Sequence, residues 1–287
     1  MRVLISLTVH KQAAVVVSQL RNLIRYLHDP VIVLHVSRNF DVRTEDLVIS
    51  ERVLINPQRY STAWGSGILV RAHMQNVRFA MSQVDFDYVA FHASNDLFVQ
   101  TGVEAYMQGH AAGCESNAIG DWSWAPGCLR DRPLRNFCNH HGITAPMHGQ
   151  LEGSFYRKDV FEDMLACLDG LESDVSWSHL SRASLLRRIL PRLYRNPHYP
   201  REEVYFPTAL AACGVLPTAA PYTYMNWNQK LDLSRDEVDA VRRCDYAALP
   251  DYEVSGVKEL FAVKRVPRQT DDPLRKYISG LDSDNPL

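Results

Sequence analysis

Apolar runs alternate with amphipathic segments through the first third of the chain. Four short, almost wholly apolar runs predict strands buried on both faces: residues 3–8, 31–36, 53–55 and 88–91. Two segments between them, 13–27 and 68–81, carry apolar residues at helical spacing. Strands of this kind separated by helices predict an α/β fold, with a mixed, mostly parallel central sheet and helices on both faces. In such folds ligands bind beyond the carboxyl ends of the strands.

The remainder of the chain is less regular. Residues 113–153 show no clear period, and a long irregular segment of this kind is typical of a functional region. Four later segments predict helices: 158–171, 178–195, 202–213 and 234–243, the last with Ser234 as N-cap and Glu237 at the capping-box position. Because no linker interrupts the pattern, we expect one domain over 1–287, with a nucleotide-binding half (1–112) and an acceptor and catalytic half (113–287).

Composition limits the class of protein. The 287 residues are 46% hydrophobic and 22% charged with a net charge of -2, which indicates a globular protein without a general affinity for nucleic acid. No apolar run approaches the roughly 20 residues that cross a bilayer. The six cysteines are scattered without paired spacing, as is typical of reduced thiols. We therefore expect a cytoplasmic protein.

A polar cluster follows the fourth predicted strand directly. The sequence His92-Ala93-Ser94-Asn95-Asp96 lies where α/β folds bind ligands. The alternative is a strand-ending turn in which Asn95 and Asp96 cap the next helix. Position alone favours neither interpretation.

Two further places carry candidate chemistry. Glu202 and Glu203 begin a predicted helix and point about 100° apart, so they cannot share one task. One of them can face a cleft as a general base. The alternative, which spacing alone favours, is that they only stabilise the helix N-terminus. Lys264 follows the apolar run 260–263, so its side chain starts from a buried element. It can bind a diphosphate or belong to a solvated basic surface.

None of the candidate metal-binding or phosphate-binding sites has the residue spacing or position of a known motif. Cysteines and histidines in the irregular region match no standard zinc pattern: Cys128, Cys138, His140, His141 and His148. Gly65-Ser66-Gly67 lacks the other positions of a phosphate-binding loop. Asp85-Phe86-Asp87 spells the DxD of metal-dependent transferases but precedes its strand instead of following it. We therefore expect no metal site.

Residues 182–195 interleave arginine with leucine and isoleucine. A basic amphipathic stretch of this type can lie on an anionic membrane surface, but the pattern by itself favours an ordinary surface helix with its apolar face inward.

Six motifs, taken in order, resemble the core-2/I-branching N-acetylglucosaminyltransferase family (glycosyltransferase family 14-like), which includes peptide xylosyltransferases. They are PVIVLHV (30–36), AWGS (63–66), HASND (92–96), LEGSFY (151–156), EEVYFPT (202–208) and LFAVK (260–264). The chain looks like a short bacterial or viral-type member, and the cysteine- and histidine-rich segment has no counterpart in the family.

The resemblance implies a GT-A-like fold and a metal-independent, inverting transfer from a UDP-sugar to a glycan hydroxyl, without a cofactor. It implies that Glu203 is the catalytic base and that Lys264 holds the diphosphate. The other expected donor-binding residues are Asp96, Ser94, His10 and either Lys230 or Arg235. Those expected at the acceptor or sugar are Glu152, Trp64 and Trp122. The sugar would be of the GlcNAc or xylose class, and the aromatic at Phe155 or Tyr156 in place of Trp leaves its identity open.

We expect a glycan or lipid-linked glycan as acceptor, in the synthesis of a surface polysaccharide, with peripheral membrane contact through 182–195. Two alternatives remain open. One is a metal-dependent GT-A transferase, perhaps retaining, that uses Asp96 with another carboxylate; the other is a non-catalytic glycan-assembly partner.

Overall fold

The computed structural model describes residues 1–62, 67–120, 122–174, 199–226, 233–250 and 259–281. The helices are α1 Ala13–Tyr26, α2 Ile68–Met81, α3 Val103–Gln108, α4 Ala125–Cys128, α5 Arg132–His140, α6 Lys158–Asp174, α7 Glu202–Ala212, α8 Arg235–Arg242 and α9 Pro273–Gly280. The strands are β1 Val3–Val9, β2 Pro30–Val36, β3 Val53–Ile55, β4 Tyr88–Ala93, β5 Leu97–Phe98, β6 Ala112–Gly113, β7 Asn117–Ala118, β8 Met147–His148, β9 Phe155–Arg157, β10 Thr223–Tyr224 and β11 Ala262–Val263.

The central sheet has the strand order β3-β2-β1-β4-β9-β6. The first four strands in this order are parallel, and β9 runs antiparallel to both β4 and β6. The mixed, mostly parallel sheet predicted from the sequence is therefore confirmed. The order reverses between β1 and β4, which makes the crevice at their carboxyl ends the place where α/β folds bind ligands.

Two apolar cores cover the two faces of this sheet, because successive side chains of a strand point to opposite faces. Leu4 of β1 packs into a core with apolar residues of α2, α6 and α7. Val3 and Ile5 pack into a second core with residues of α1 and α3. All seven residues of β1 are buried, which is why its sequence shows an apolar run instead of an alternating pattern.

A smaller sheet of order β10-β11-β5 extends from the carboxyl end of β4. β11 runs parallel to β10 and antiparallel to β5. The Lys264 amide, one residue past β11, donates to the Tyr224 carbonyl at 2.9 Å, and the Val266 amide donates to the Asn95 carbonyl at 3.2 Å. The C-terminal strand is thus attached to the turn that follows β4.

The later helices agree with their predicted positions where the structure describes them. Ser234 caps α8, with Glu237 completing the reciprocal capping box that the sequence indicated. The predicted helix at 178–195 lies outside the described residues. The irregular segment 113–153 holds α4, α5 and the two-stranded ladder of β7 and β8, elements too short for periodicity to reveal.

Gly153 joins the two sheets in a conformation that only glycine adopts readily. Its φ is +79°, its amide donates to the Phe91 carbonyl at 2.9 Å, and its own carbonyl accepts from the Tyr222 amide at 3.1 Å. A Cβ here would lie 2.4 Å from Thr223 Oγ1 and 2.5 Å from the Thr223 amide nitrogen. The close approach of the two sheets therefore requires the absence of a side chain.

We expect Gly153→Ala to lower the free energy of unfolding by about 2–4 kcal/mol, because it adds steric overlap to the strain of a positive φ. Gly142→Ala is the matched control, since Gly142 also has a positive φ (+67°) but nothing lies within 4 Å of its Cβ position. Urea denaturation measures both changes. Equal losses in the two variants would contradict the steric account.

Candidate active site

Three segments distant in sequence meet beside the end of β11. The amide of Gly149 donates to the Glu203 carbonyl at 2.9 Å, which holds the first turn of α7 against the loop after β8. The Gln150 side chain in the same loop donates from Nε2 to the Thr223 carbonyl at 2.8 Å. Since β10 pairs with β11, these contacts bring Glu152, Glu203 and Lys264 into one cluster.

An ion pair lies at the centre of this cluster. The Lys264 ammonium group contacts Glu152 Oε1, and the two side chains are only 16% and 11% exposed. The other Glu152 oxygen, Oε2, is buried and has no hydrogen-bond partner among the described residues. The Glu152 carboxylate is therefore satisfied at one oxygen and unsatisfied at the other.

Two neighbouring carboxyl groups on α7 hold their protons unusually tightly. Burial raises the pKa of Glu203 to about 9, and the negative charges of Glu152 and Glu202 raise it further than Lys264 can lower it. Burial likewise raises the pKa of Glu202 to about 7, with Glu152 contributing in the same direction. Lys264 remains protonated: burial lowers its pKa, but Glu152, Asp96 and Glu203 together raise it above the usual value.

The turn after β4 uses Asp96 to hold its own backbone. Asp96 Oδ2 accepts from the Ala93 amide at 2.7 Å and lies 3.3 Å from His92 Nδ1. The opposite ring nitrogen of His92 lies 2.7 Å from the Tyr222 hydroxyl. The motif therefore forms a strand-ending turn, but the strand β5 and not a helix follows it, so the expected helix cap is absent here. Asp96 Oδ1, however, is buried without a partner among the described residues, and burial raises the pKa of this carboxyl group.

The remaining predicted donor residues fall in different places. His10 directly follows β1 at the same edge of the sheet as Asp96, and burial, Arg268 and Lys11 lower its pKa. Ser94 is buried within the turn after β4. Lys230 lies outside the described residues.

Arg235 does not join the cluster, which corrects its expected place beside Lys264. Its guanidinium lies 4.0 Å from the ring centroid of Tyr277 and 3.7 Å from Asp239, so it packs on the surface formed by α8 and α9. The Arg235 guanidinium is largely exposed. The sequence showed a basic residue in the correct region but did not indicate which face of α8 it occupies.

On the acceptor side, Glu152 belongs to the cluster, whereas Trp64 lies outside the described residues. Trp122 stacks on His148 with ring centroids 4.5 Å apart and planes inclined by 7°. His148 also lies in the field of Glu115, which in turn contributes to the raised pKa of Glu203. His148 directly precedes Gly149, whose amide donates to the Glu203 carbonyl, so the Trp122–His148 stack lies next to the start of α7.

Within the described ranges no group of three or more His, Cys, Asp or Glu side chains is arranged to hold a metal ion. Cys128 and Cys138 belong to the apolar core, and burial raises the pKa of their thiols to about 12 and about 11. Asp85 and Asp87 lie at the amino end of β4, where they contact Lys158 and the Arg2 amide. The DxD sequence therefore lies at the opposite edge of the sheet from Lys264.

Sequence reasoning missed two acidic residues around α7. Glu115 accepts from the Gln150 amide at 3.2 Å. A Cβ on Gly149 would lie 2.1 Å from the Glu115 carbonyl oxygen, so these two segments of the chain are in contact through their backbones. Asp131 is buried and binds side chains on both sides of Glu202 and Glu203. Both residues lie in the irregular segment, where no motif singled them out.

No protein-family model matches the chain. Among curated proteins, hyaluronan synthase from Pasteurella multocida is 24% identical over 247 residues, which are 79% of this chain and 24% of that protein. The chain thus spans about a quarter of the length of this relative. The match does not single out the core-2/I-branching family that the sequence motifs resemble.

Two solved structures share a distant likeness. An active-site variant of LgtC has a TM-score of 0.45 and 6% identity, with 98% of this chain and 95% of that chain covered. Galactosyltransferase LgtC in complex with donor and acceptor sugar analogues has a TM-score of 0.32 and 6% identity, with 61% and 66% covered. At these values neither structure supports a conclusion about function.

In the part of the chain that the structure describes, no helix combines the length and the apolar character needed to span a membrane.

The raised pKa of Glu203 gives the stability of the protein a definite pH dependence. Between pH 4.5 and about 9 the folded protein keeps a proton on Glu203 that the unfolded chain releases, so the free energy of unfolding falls as the pH rises. We expect Glu203→Gln to flatten this fall between pH 7 and 9, above the pKa of Glu202, by at most about 1.4 kcal/mol per pH unit.

Urea denaturation at each pH measures the slope. Glu162→Gln, which removes an exposed carboxylate from α6, is the control and should leave the slope unchanged. A Glu203→Gln slope equal to that of the wild type would show that Glu203 is ionised in the folded protein.

Proposed function

We propose that this protein is an inverting, metal-independent glycosyltransferase that moves a sugar of the GlcNAc or xylose class from a UDP-sugar to a glycan hydroxyl. The observation that carries the proposal is the buried Lys264–Glu152 ion pair, next to Glu203 and to the turn after β4. A fixed cation beside a carboxyl group of high proton affinity, close to the switch point of the sheet, suits the two charges that develop in glycosyl transfer. The match to hyaluronan synthase supports the same class.

In this mechanism Glu203 is the general base. A sugar hydroxyl is a weak nucleophile, and a positioned carboxylate that takes its proton contributes about 10²–10⁴-fold. Because the resting site holds a proton on Glu203 up to about pH 9, that proton must first leave to solvent, and only the ionised fraction acts as base. The ionised carboxylate then has more than the usual affinity for the acceptor's proton. The proton moves from the acceptor oxygen to Glu203 as that oxygen bonds to the anomeric carbon from the side opposite the departing UDP.

Lys264 stabilises the leaving group. The bond to the diphosphate breaks with its electron pair on the phosphate oxygen, and an ammonium group fixed in a site of low dielectric constant stabilises that charge strongly. To bind the diphosphate, Lys264 exchanges its contact with Glu152 for one with a phosphate oxygen. Glu152 is then free to accept a hydrogen bond from a sugar hydroxyl, and the Trp122–His148 stack offers a flat surface for a sugar ring.

A metal-dependent transferase is the second candidate, and one observation favours it. Asp96 Oδ1 and Glu152 Oε2 are buried acceptors without partners among the described residues, as the oxygen ligands of a divalent cation would be before binding. Lys264 lies in the field of both carboxylates, however, and already supplies a cation there. Sensitivity of donor binding to EDTA separates the two candidates.

The acceptor is proposed to be a growing surface glycan, free or lipid-linked, on the cytoplasmic side of a membrane. Residues 182–195, the basic stretch proposed to contact that membrane, lie outside the described residues.

The test is thermal unfolding in the presence of UDP, UDP-GlcNAc, UDP-xylose and UDP-glucose, each with and without EDTA. A ligand at a hundred times its dissociation constant stabilises the folded state by about 2.7 kcal/mol, which raises the Tm of a domain of this size by about 4–6 °C. We expect UDP and one of the first two UDP-sugars to give this rise with EDTA present. A rise that EDTA abolishes would support the metal-dependent candidate, and no rise with any nucleotide would overturn the proposal.

Lys264→Ala should abolish the rise, because it removes the cation that meets the diphosphate. Lys158→Ala is the matched control, since Lys158 also pairs with a carboxylate but lies at the opposite edge of the sheet. A full rise in Lys264→Ala would remove Lys264 from the donor site.

A further inference from the structure

Three donors converge on one oxygen of Asp131, just outside the cluster described above. Asp131 Oδ2 accepts from the Tyr199 hydroxyl at 2.7 Å, from Arg201 Nε at 3.0 Å and from the Tyr205 hydroxyl at 3.1 Å. All four residues are buried, and Asp131 is 1% exposed. Buried charges are rare unless they are paired and hydrogen-bonded in this way.

The arrangement departs from the ordinary use of an aspartate at this position. Asp131 is the N-cap residue of α5, where its carboxylate would normally accept from the backbone of its own helix. No such side-chain cap is formed. The carboxylate instead binds residues 68–74 positions further along the chain.

The three donors surround the first turn of α7. Tyr199 and Arg201 precede Glu202, and Tyr205 follows Glu203. The Arg201 carbonyl accepts from the amides of Val204 and Tyr205, at 3.0 and 2.7 Å, so Arg201 is also part of the helix start. Asp131 therefore fixes the backbone that carries both glutamates.

The opposite side of this turn is held by the loop after β8. Gly149 donates to the Glu203 carbonyl. Thr208, seven residues after Arg201 and therefore on the same face as the Asp131 contacts, exchanges hydrogen bonds with both the amide and the carbonyl of Met147. Contacts on two sides restrict rotation and translation of the helix start, and with them the direction of the Glu203 carboxyl group toward Glu152 and Lys264.

We propose that Asp131 is a positioning residue that aims Glu203 through Tyr199, Arg201 and Tyr205. The inference rests on the proposed function, since it takes Glu203 to be the catalytic base. It also gives a role to the irregular segment, which supplies Asp131 on one side of α7 and Gly149 on the other. Asp131 makes no contact with the reacting groups in this account.

The test compares Asp131→Asn and Tyr205→Phe with the wild type and with Glu203→Gln. The readouts are the release of UDP from the UDP-sugar that binds best (kcat and KM), the Kd of UDP, and amide hydrogen exchange of a peptide covering 199–208. Tyr205→Phe removes one donor while keeping the ion pair with Arg201, so it serves if Asp131→Asn does not fold. Tyr88→Phe is the control, because it removes a tyrosine hydroxyl bonded to the His110 carbonyl at the far edge of the sheet.

We expect kcat to fall about 100-fold in Asp131→Asn, the effect of a misplacement of about 1 Å, and by a smaller factor in Tyr205→Phe. UDP Kd and donor KM should stay within about twofold, since Lys264 is untouched. Exchange at 199–208 should become faster in both variants and not in Tyr88→Phe.

Wild-type kcat per folded molecule in both variants would show that Asp131 has only a structural role and would overturn the inference while leaving the proposed function intact. Unchanged exchange at 199–208 would also overturn it. If the wild type neither binds UDP nor releases it from a UDP-sugar, the proposed function fails, and the role of Asp131 fails with it.

Discussion

The positive charge of Lys264 is the constraint on which the site depends. One ammonium group lies in the field of Glu152, Asp96 and Glu203, in a region where solvent scarcely screens it. A single cation cannot balance several buried carboxylates. Burial, together with the negative charge of Glu152, makes Glu203 and Glu202 keep their protons to a higher pH than usual. The resting site thus combines a held cation with acids of raised pKa, the combination that an acid–base reaction on an anionic substrate uses.

The junction between the two sheets positions the Lys264 ammonium group. β11 pairs with β5, which directly follows the turn at Asp96, so the C-terminal segment returns to the switch point of the central sheet. Gly153 allows the strands to approach without a side chain between them. On the other side, the Asp131 contacts and the loop after β8 hold the start of α7. Each partner in the charge cluster is therefore fixed by an element that is distant in the sequence.

Local patterns of the sequence predicted the central sheet because its strands are buried on both faces and its helices have one apolar side. The capping box at Ser234 was equally visible, since both partners lie within four residues. The resemblance, not the spacing, singled out Glu203 and Lys264. The neighbourhood of Asp131 could not be predicted, because its donors lie 68–74 residues away and no periodicity links them. Arg235 was misplaced because charge alone does not determine the direction of a side chain on α8.

The structure of the complex with UDP, determined in the presence of EDTA, tests the central claim most directly. The account predicts that Lys264 Nζ leaves Glu152 and lies within about 3 Å of a diphosphate oxygen, a normal charge-assisted hydrogen bond, beside the carboxyl ends of β1 and β4. UDP bound elsewhere, with the Lys264–Glu152 contact intact, would contradict it.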